Sequence, residues 1–233
     1  MIDLGRALQH PFEDRDWASK LLIGAAVNLV PILNFAMMGY SLDVLRNTSR
    51  GQDVPLPAWD DFGKKFVDGL KLFVAQLVYA LPLIVVAFVY VFGTVFLTAM
   101  TAAGEDRGDR GQFAFVALIS LVSIGFFCFA FIYSIFIGII MPALYIQLAR
   151  TGDLGSCFRL RELWAIVQRR TGDYALVALV LFGLPLAASI IVSLFTAIPI
   201  LGALIALLLV PIMIVLSSYY MVVSGHLYGQ LAR

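Results

Sequence analysis

Three long stretches of this chain carry no Asp, Glu, Lys or Arg: Leu72 to Gly104, Gln112 to Ala149 and Tyr174 to Gly225. The charges are confined to the segments between and around them. An apolar run of about 18 residues suffices for one helix to cross about 30 Å of hydrocarbon. The expected fold class is therefore all-α: a polytopic membrane helix bundle with about five transmembrane helices and two cytoplasmic amphipathic interfacial helices. With 61% hydrophobic residues, 13% charged residues and a mean hydropathy of +0.95, the composition excludes a soluble globular domain, which carries about 25% charge.

The whole of residues 1–233 reads as a single integral membrane domain, leaving no room for a soluble catalytic domain. A net charge of +1 provides no basic field for nucleic acid. The first twenty residues hold Asp3, Glu13, Asp14 and Asp16 against Arg6, Arg15 and Lys20, unlike the net-positive start of a cleavable signal. They are expected to form an N-terminal interfacial segment ahead of a retained anchor. Cys128 falls inside an apolar run and Cys157 in a polar connector, so a disulfide between them is not expected.

The first apolar segment, about Leu21 to Leu45, carries Asn28, Pro31 and Asn34 near its middle. Either it crosses once, giving five spans and an outside N-terminus, or the Asn28–Asn34 stretch breaks it into a re-entrant pair with the N-terminus inside. Five spans is the preferred count. The second segment runs from about Leu72 to Met100 and contains Pro82. The third, Phe113 to about Leu148, is long enough to require a tilt or a kink, with Pro142 as the expected kink. The last two fill Tyr174 to about Tyr228, divided by a turn near Thr196–Pro199, with Pro185 and Pro211 inside them. Prolines are tolerated in membrane helices where neighbours re-satisfy the freed carbonyls.

Two internal echoes occur: Leu29-Val30-Pro31-Ile32 returns as Leu209-Val210-Pro211-Ile212, and Tyr79-Ala80-Leu81-Pro82 as Phe182-Gly183-Leu184-Pro185. An internal duplication would explain both, as would chance matching of apolar segments.

Orientation follows from the Lys and Arg of the connectors. Residues 46–71 hold Arg46, Arg50, Lys64, Lys65 and Lys71; residues 149–173 hold Arg150, Arg159, Arg161, Arg169 and Arg170. The connector near Glu105–Arg110 has two arginines, and reads as a solvated extracellular turn rather than a calcium loop. Both basic connectors, and the end of the chain at Arg233, are expected in the cytoplasm.

Each basic connector also carries an amphipathic pattern. Over Asp60–Lys71, Phe62, Phe66, Val67 and Leu70 share one face, while Asp61, Lys64, Lys65, Asp68 and Lys71 take the other. The Asp61–Lys65 and Lys64–Asp68 spacings suit i,i+4 ion pairs, and Asp60 suits an N-cap. Over Ser156–Arg170, Leu160, Leu163, Trp164 and Val167 form the stripe. Trp17, Trp59 and Trp164 stand at expected headgroup depth. Lys64, Lys65, Arg159, Arg161, Arg169 and Arg170 are the candidate binding residues for lipid headgroups. The bland alternative is that these helices only orient the fold.

Sites for chemistry are sparse. His10 and His226 are the only histidines, neither beside an acidic cluster, and His226 suits an interfacial aromatic anchor. Asn28, Asn34 and Gln76 are candidates for an intramembrane polar path, although interhelical hydrogen bonding is the commoner use of such amides. No catalytic or metal-binding residue set stands out, and no cofactor is expected.

The stretch Pro11-Phe12-Glu13-Asp14-Arg15-Asp16-Trp17, the Gly39-Tyr40 to Arg46 helix end, the Arg50-Gly51-Gln52 to Trp59-Asp60-Asp61 connector and Phe66-Val67-Asp68-Gly69-Leu70-Lys71 together resemble a prokaryotic membrane family catalogued as a domain of unknown function, forty-thirteen. The resemblance implies a multi-pass, all-α protein of the plasma membrane and supplies no activity. The expected function is that of a non-enzymatic accessory, scaffold or lipid-interacting membrane component. Its partners would be anionic lipid headgroups, with a membrane-protein partner or a second copy also possible. The alternative is a small transporter or channel for an uncharged or amphipathic solute.

Overall fold

The computed structural model describes residues 2–102, 108–196 and 199–233, and every regular element among them is helical. In chain order the α-helices are α1 (Leu4–Gln9), α2 (Trp17–Leu29), α3 (Asn34–Ser49), α4 (Phe62–Ala102), α5 (Gly108–Thr151), α6 (Leu160–Arg169), α7 (Thr171–Thr196) and α8 (Pro199–Ala232). Short 3-10 turns follow α1 at His10–Glu13 and precede α6 at Leu154–Phe158. Among the described residues four helices are long and apolar enough to cross a membrane, with spans at Phe62–Met100, Gly111–Thr151, Thr171–Leu194 and Leu209–Ala232. The bundle is therefore polytopic and all-α. Helices α7 and α8 flank the predicted turn near Thr196–Pro199, whose central residues lie outside the described ones, as does the first half of the Glu105–Arg110 connector.

The first apolar segment does not cross as one helix. Proline disfavours helical backbone in the residue before it, and Val30, ahead of Pro31, is extended at φ −101°, ψ 113°. The break is closed by Leu33 and Asn34 N–H groups donating to the Val30 carbonyl at 2.9 and 3.1 Å. At 13 residues, α2 is about 20 Å long, short of a hydrocarbon core. It folds back against α3: Gly24 approaches Met37, and Trp59, whose indole N–H donates to the Lys20 carbonyl at 3.1 Å, stacks on Tyr40 at 4.5 Å. The segment is a pair of helices, α2 and α3, rather than the one crossing helix of the preferred five-span count.

Two compact units result. The first comprises Met1–Gln76 and Ile139–Arg233, the second Leu77–Gly138. Helix α3 is the axis of the first unit, and glycines let its neighbours approach it. A Cβ on Gly39 would collide with the Lys65 carbonyl of α4, and one on Gly69 with the Phe35 carbonyl of α3. Gly225 and Gly229, one turn apart on α8, meet Ser41 and Thr48 of α3 in the same way, the small-residue spacing that brings membrane helices close. Met37, Tyr40, Val44 and Val222 form the core of this contact. The second unit is the α4–α5 hairpin, held by Tyr90 stacked on Phe126 at 4.3 Å and hydrogen-bonded to Ser123 at 2.9 Å.

A tyrosine hydroxyl bonds the backbone beside three of the helix-interior prolines. Pro185 frees the Leu181 carbonyl four residues back, and the Tyr220 hydroxyl of α8 donates to it at 2.8 Å. Beside Pro142, the Tyr174 hydroxyl inserts into the ladder of α5: it accepts from Ala143 N–H at 2.8 Å and donates to the Ile139 carbonyl at 2.6 Å. Beside Pro82, Tyr133 donates to the Tyr79 carbonyl at 2.8 Å. Side-chain insertion of this kind is a recognised cause of helix bending. The Pro82 and Pro185 echoes both lie inside a helix and near a carbonyl that a tyrosine bonds, although the carbonyl is three residues back in the first and four in the second. The Pro31 and Pro211 echoes do not, since the first lies in a break and the second inside α8.

Overpacking a close helix contact costs about 1–3 kcal/mol. Gly69→Val is expected to lower the thermal midpoint of the detergent-solubilised protein. Gly93→Ala, where a Cβ would meet nothing within 4 Å, should leave it unchanged.

Candidate functional site

Where α3, α4 and α5 end or begin, their charged residues gather at one end of the first unit. Arg46 of α3 is held by Asp43 at 2.9 Å and by Asp68 of α4 at 2.7 Å, and its Nε donates to the Ala149 carbonyl of α5 at 3.3 Å. Lys65, only 4% exposed, lies 3.4 Å from Asp43 and 3.9 Å from Asp60. Lys71 reaches the Gly152 carbonyl at 2.9 Å. Two carboxylates and two cations thus form a buried, cross-helix network.

The expected amphipathic helix over Asp60–Lys71 is the opening of α4, and both of its faces are divided: Lys65 and Asp68 turn inward while Asp61 and Lys64 are exposed, and Phe62 and Phe66 pack on the core while Val67, Leu70 and Phe73 face out. A charge buried against an opposite charge is tolerated, and an apolar face next to lipid costs nothing. The expected i,i+4 pairs are replaced by pairs to α3, and the capping carboxylate is Asp61, which accepts the Lys64 N–H at 3.3 Å, rather than Asp60. Lys65 is consequently no free cation for a headgroup, whereas Lys64 is exposed.

Beside the network lies a polar cleft of about 510 Å³. Its walls come from the end of α3 (Asp43, Arg46, Arg50), the connector and opening of α4 (Asp60, Asp61, Lys64, Lys65) and the end of α5 (Arg150).

On α6, Leu163 and Val167 are buried while Leu160 and Trp164 remain exposed, Trp164 at 48%. Arg161 and Arg169 are exposed, Arg159 pairs with Glu162 at 3.2 Å, and Arg170 donates to the Gln230 carbonyl at 3.4 Å. Glu162 also accepts from Gln147 at 2.6 Å, which ties α6 to α5.

The two histidines, 216 positions apart, meet. Both are 1% exposed, and their rings stack at 4.2 Å. The expectation that His226 is an interfacial anchor therefore gives way to a buried role. His10 Nε2 lies 2.6 Å from the Asp53 carbonyl, and His226 Nδ1 accepts from Gln230 at 3.1 Å. The Asp53 carboxylate binds Arg6 at 2.8 Å and Arg233 at 2.5 Å, with His226 Nε2 at 3.8 Å. Asp3 and Gln230 exchange two further hydrogen bonds at 2.8 and 3.0 Å. This latch joins α1, the 50–61 connector and the end of α8. Burial pushes the His10 pKa down, against the raising effect of Asp53. Nearby, burial alone would raise Asp14, but Lys20 and the Asp16 and Leu56 N–H groups outweigh it and hold its carboxyl below the ordinary range.

The amides separate. Asn28 and Asn34 line a cavity of about 570 Å³ together with Met213, Ser217 and Tyr220. Asn28 donates to Ser217 and Ser218 at 3.1 and 3.0 Å. Gln76 lies elsewhere, beside the Tyr145 hydroxyl. Sequence reasoning missed the His–Asp53 latch and the Asp43–Arg46–Asp68–Lys65 network. Asp43, the acidic residue inside the first apolar segment and three positions before Arg46, was the available signal. Among the described residues no group of three or more His, Cys, Asp and Glu is arranged to hold a metal ion.

Four membrane-length helices among the described residues, with a shorter helical pair and a charged end, define a multi-pass helical membrane protein. The sequence model of a family described as a protein of unknown function (DUF4013) matches residues 23–198, and the chain belongs to that family. No curated protein and no solved structure matches it.

Removing one partner of a buried ion pair costs about 3–5 kcal/mol. Arg46→Met is therefore expected to destabilise strongly, and the combined Asp43→Asn, Lys65→Met change less than the sum of its parts in a thermal-melt double-mutant cycle. The pH dependence has one sign. His10 and Asp14 both have folded pKa values below their unfolded ones, so the unfolded chain binds more protons. Their stabilisation is complete above about pH 6.5 for His10 and about pH 4 for Asp14, and is lost as pH falls through each folded value. His10→Gln is expected to flatten the decline in melting temperature below about pH 6.5 while leaving the steeper acid loss in place.

Proposed function

We propose that this protein is a non-enzymatic, lipid-interacting component of a prokaryotic plasma membrane. Its charged end, with residues 46–71, 149–173 and the end of α8, lies in the cytoplasm. The orientation rests on the excess of Lys and Arg in those connectors. One observation carries the lipid reading: α6 keeps Leu160 and Trp164 exposed on one edge while Arg161 and Arg169 stand on the adjoining polar face. A helix buried on one side, apolar at its edge and basic beyond it suits the plane between acyl chains and anionic headgroups. Each basic residue there contributes about 1 kcal/mol, and the exposed apolar side chains add depth.

A second reading has its own support in the cavity at Asn28 and Asn34: a route or pocket for an uncharged or amphipathic solute. Gln76 has no part in it.

The test is native mass spectrometry of the protein in nanodiscs of mixed anionic and zwitterionic lipid. Enrichment of anionic lipid is expected, falling at least tenfold when Arg159, Arg161, Arg169 and Arg170 are all changed to Glu. Unchanged lipid selectivity in that variant would remove the lipid reading, and solute flux through proteoliposomes that is abolished by Asn34→Leu would favour the second.

A further inference from the structure

The cleft between the ends of α3, α4 and α5 has the chemistry of an anion site. Five cations and three carboxylates line its walls. The carboxylates are already engaged. Asp43 holds Arg46 and Lys65, and Asp60 approaches Lys65. Asp61 turns into the first turn of α4, where it accepts the Lys64 N–H. Arg46 and Lys65 are consumed in turn. Arg50 and Lys64 are left with side chains that meet no acidic partner among the described residues, and Arg150 is left with a single bond, from its guanidinium to the Ala232 carbonyl at 2.9 Å.

The fold explains why these cations converge. Helices α3 and α5 both end here, at Ser49 and Thr151, and helix C-termini favour cations. Helix α4 begins here, at Phe62, and a helix N-terminus favours an anion. Gly63, in that first turn, has open space where a Cβ would stand, which leaves the backbone approachable. The charge-free runs of α4 and α5 stop on this side at Leu72 and Ala149, so the cleft lies at the polar end of both helices.

The geometry points to a stoichiometric binding site for an anionic phosphate group in this cleft, held by Arg50, Lys64 and Arg150. The phosphate belongs to a lipid headgroup or to a free phosphate. This inference deepens the lipid-interacting reading and rests on it for the membrane-borne source. The site is separate from α6: a single occupant in a polar cavity of about 510 Å³, rather than a surface that gathers lipid by charge.

The experiment is native mass spectrometry of the full chain in detergent, titrated separately with phosphatidic acid, phosphatidylglycerol, phosphatidylcholine of matched acyl length, and inorganic phosphate. One bound anionic lipid per protein, retained in 0.5 M ammonium acetate and weakened at least tenfold by Arg50→Gln with Lys64→Gln, is the expected result. Equal weakening for inorganic phosphate, with no gain from the acyl chains, would support the site and assign its occupant to the soluble source. Both side chains are exposed, so the variant should keep its melting temperature; Lys64→Gln alone, expected to weaken binding severalfold, serves if the double variant does not. Binding that is absent, non-stoichiometric or indifferent to these substitutions would overturn the inference. The α6 variant with four Glu distinguishes the two failures: it should lose bulk anionic enrichment while retaining the single lipid.

Discussion

Arg46 lies half-buried at the charged end of the first unit, and the helices around it are placed so that its charge never stands alone. It is held from its own helix by Asp43 and from α4 by Asp68, and it reaches a backbone carbonyl of α5. Such a group is tolerable away from water only when each of its donors is answered. That requirement fixes the distance between α3 and α4, and the distance is shorter than side chains would allow. Gly39 and Gly69 supply the clearance. The electrostatic network and the glycine contact are thus one constraint: lengthening the approach breaks the ion pairs, and losing the ion pairs leaves a close contact with charge inside it.

Around that axis, α8 packs through Gly225 and Gly229, and α2 folds back beside both. The arrangement gathers the start of the chain, both basic connectors and the end of α8 at one end of the unit, where the Asp53 latch joins three of them. Polar groups meet there because apolar surroundings exclude them elsewhere. The same sorting leaves the outer faces of α4 and α5 almost wholly aliphatic and aromatic.

Much of this was legible in the residues. Charge-free runs announce membrane helices whatever their partners, and four of them are present. Pro31 between two asparagines announced the alternative of a re-entrant pair, but whether a proline bends or breaks a helix depends on neighbours. At Pro142 and Pro185 those neighbours are Tyr174 and Tyr220; at Pro31 the chain turns instead. Over Asp60–Lys71 the alternation of apolar and charged residues predicts one lipid-facing side and one polar side, but Lys65 and Asp68 turn inward because opposite charges wait there. Asp43 and Arg46, one helix earlier, decided it. Contacts between residues as distant as His10 and His226 leave no local pattern to read.

The pairing of phenol hydroxyls with helix-interior prolines has a consequence for how such a chain can drift. Each pairing is specified at two places in the sequence, a proline on one helix and a tyrosine on another, as with Pro185 and Tyr220. Neither half is informative by itself, since an orphaned hydroxyl in hydrocarbon and an orphaned carbonyl are both disfavoured. Relatives of this protein should therefore keep or exchange the two together, so that loss of the proline in α7 is accompanied by phenylalanine at the position of Tyr220. A proline of this kind is inherited by pairs of helices rather than by one.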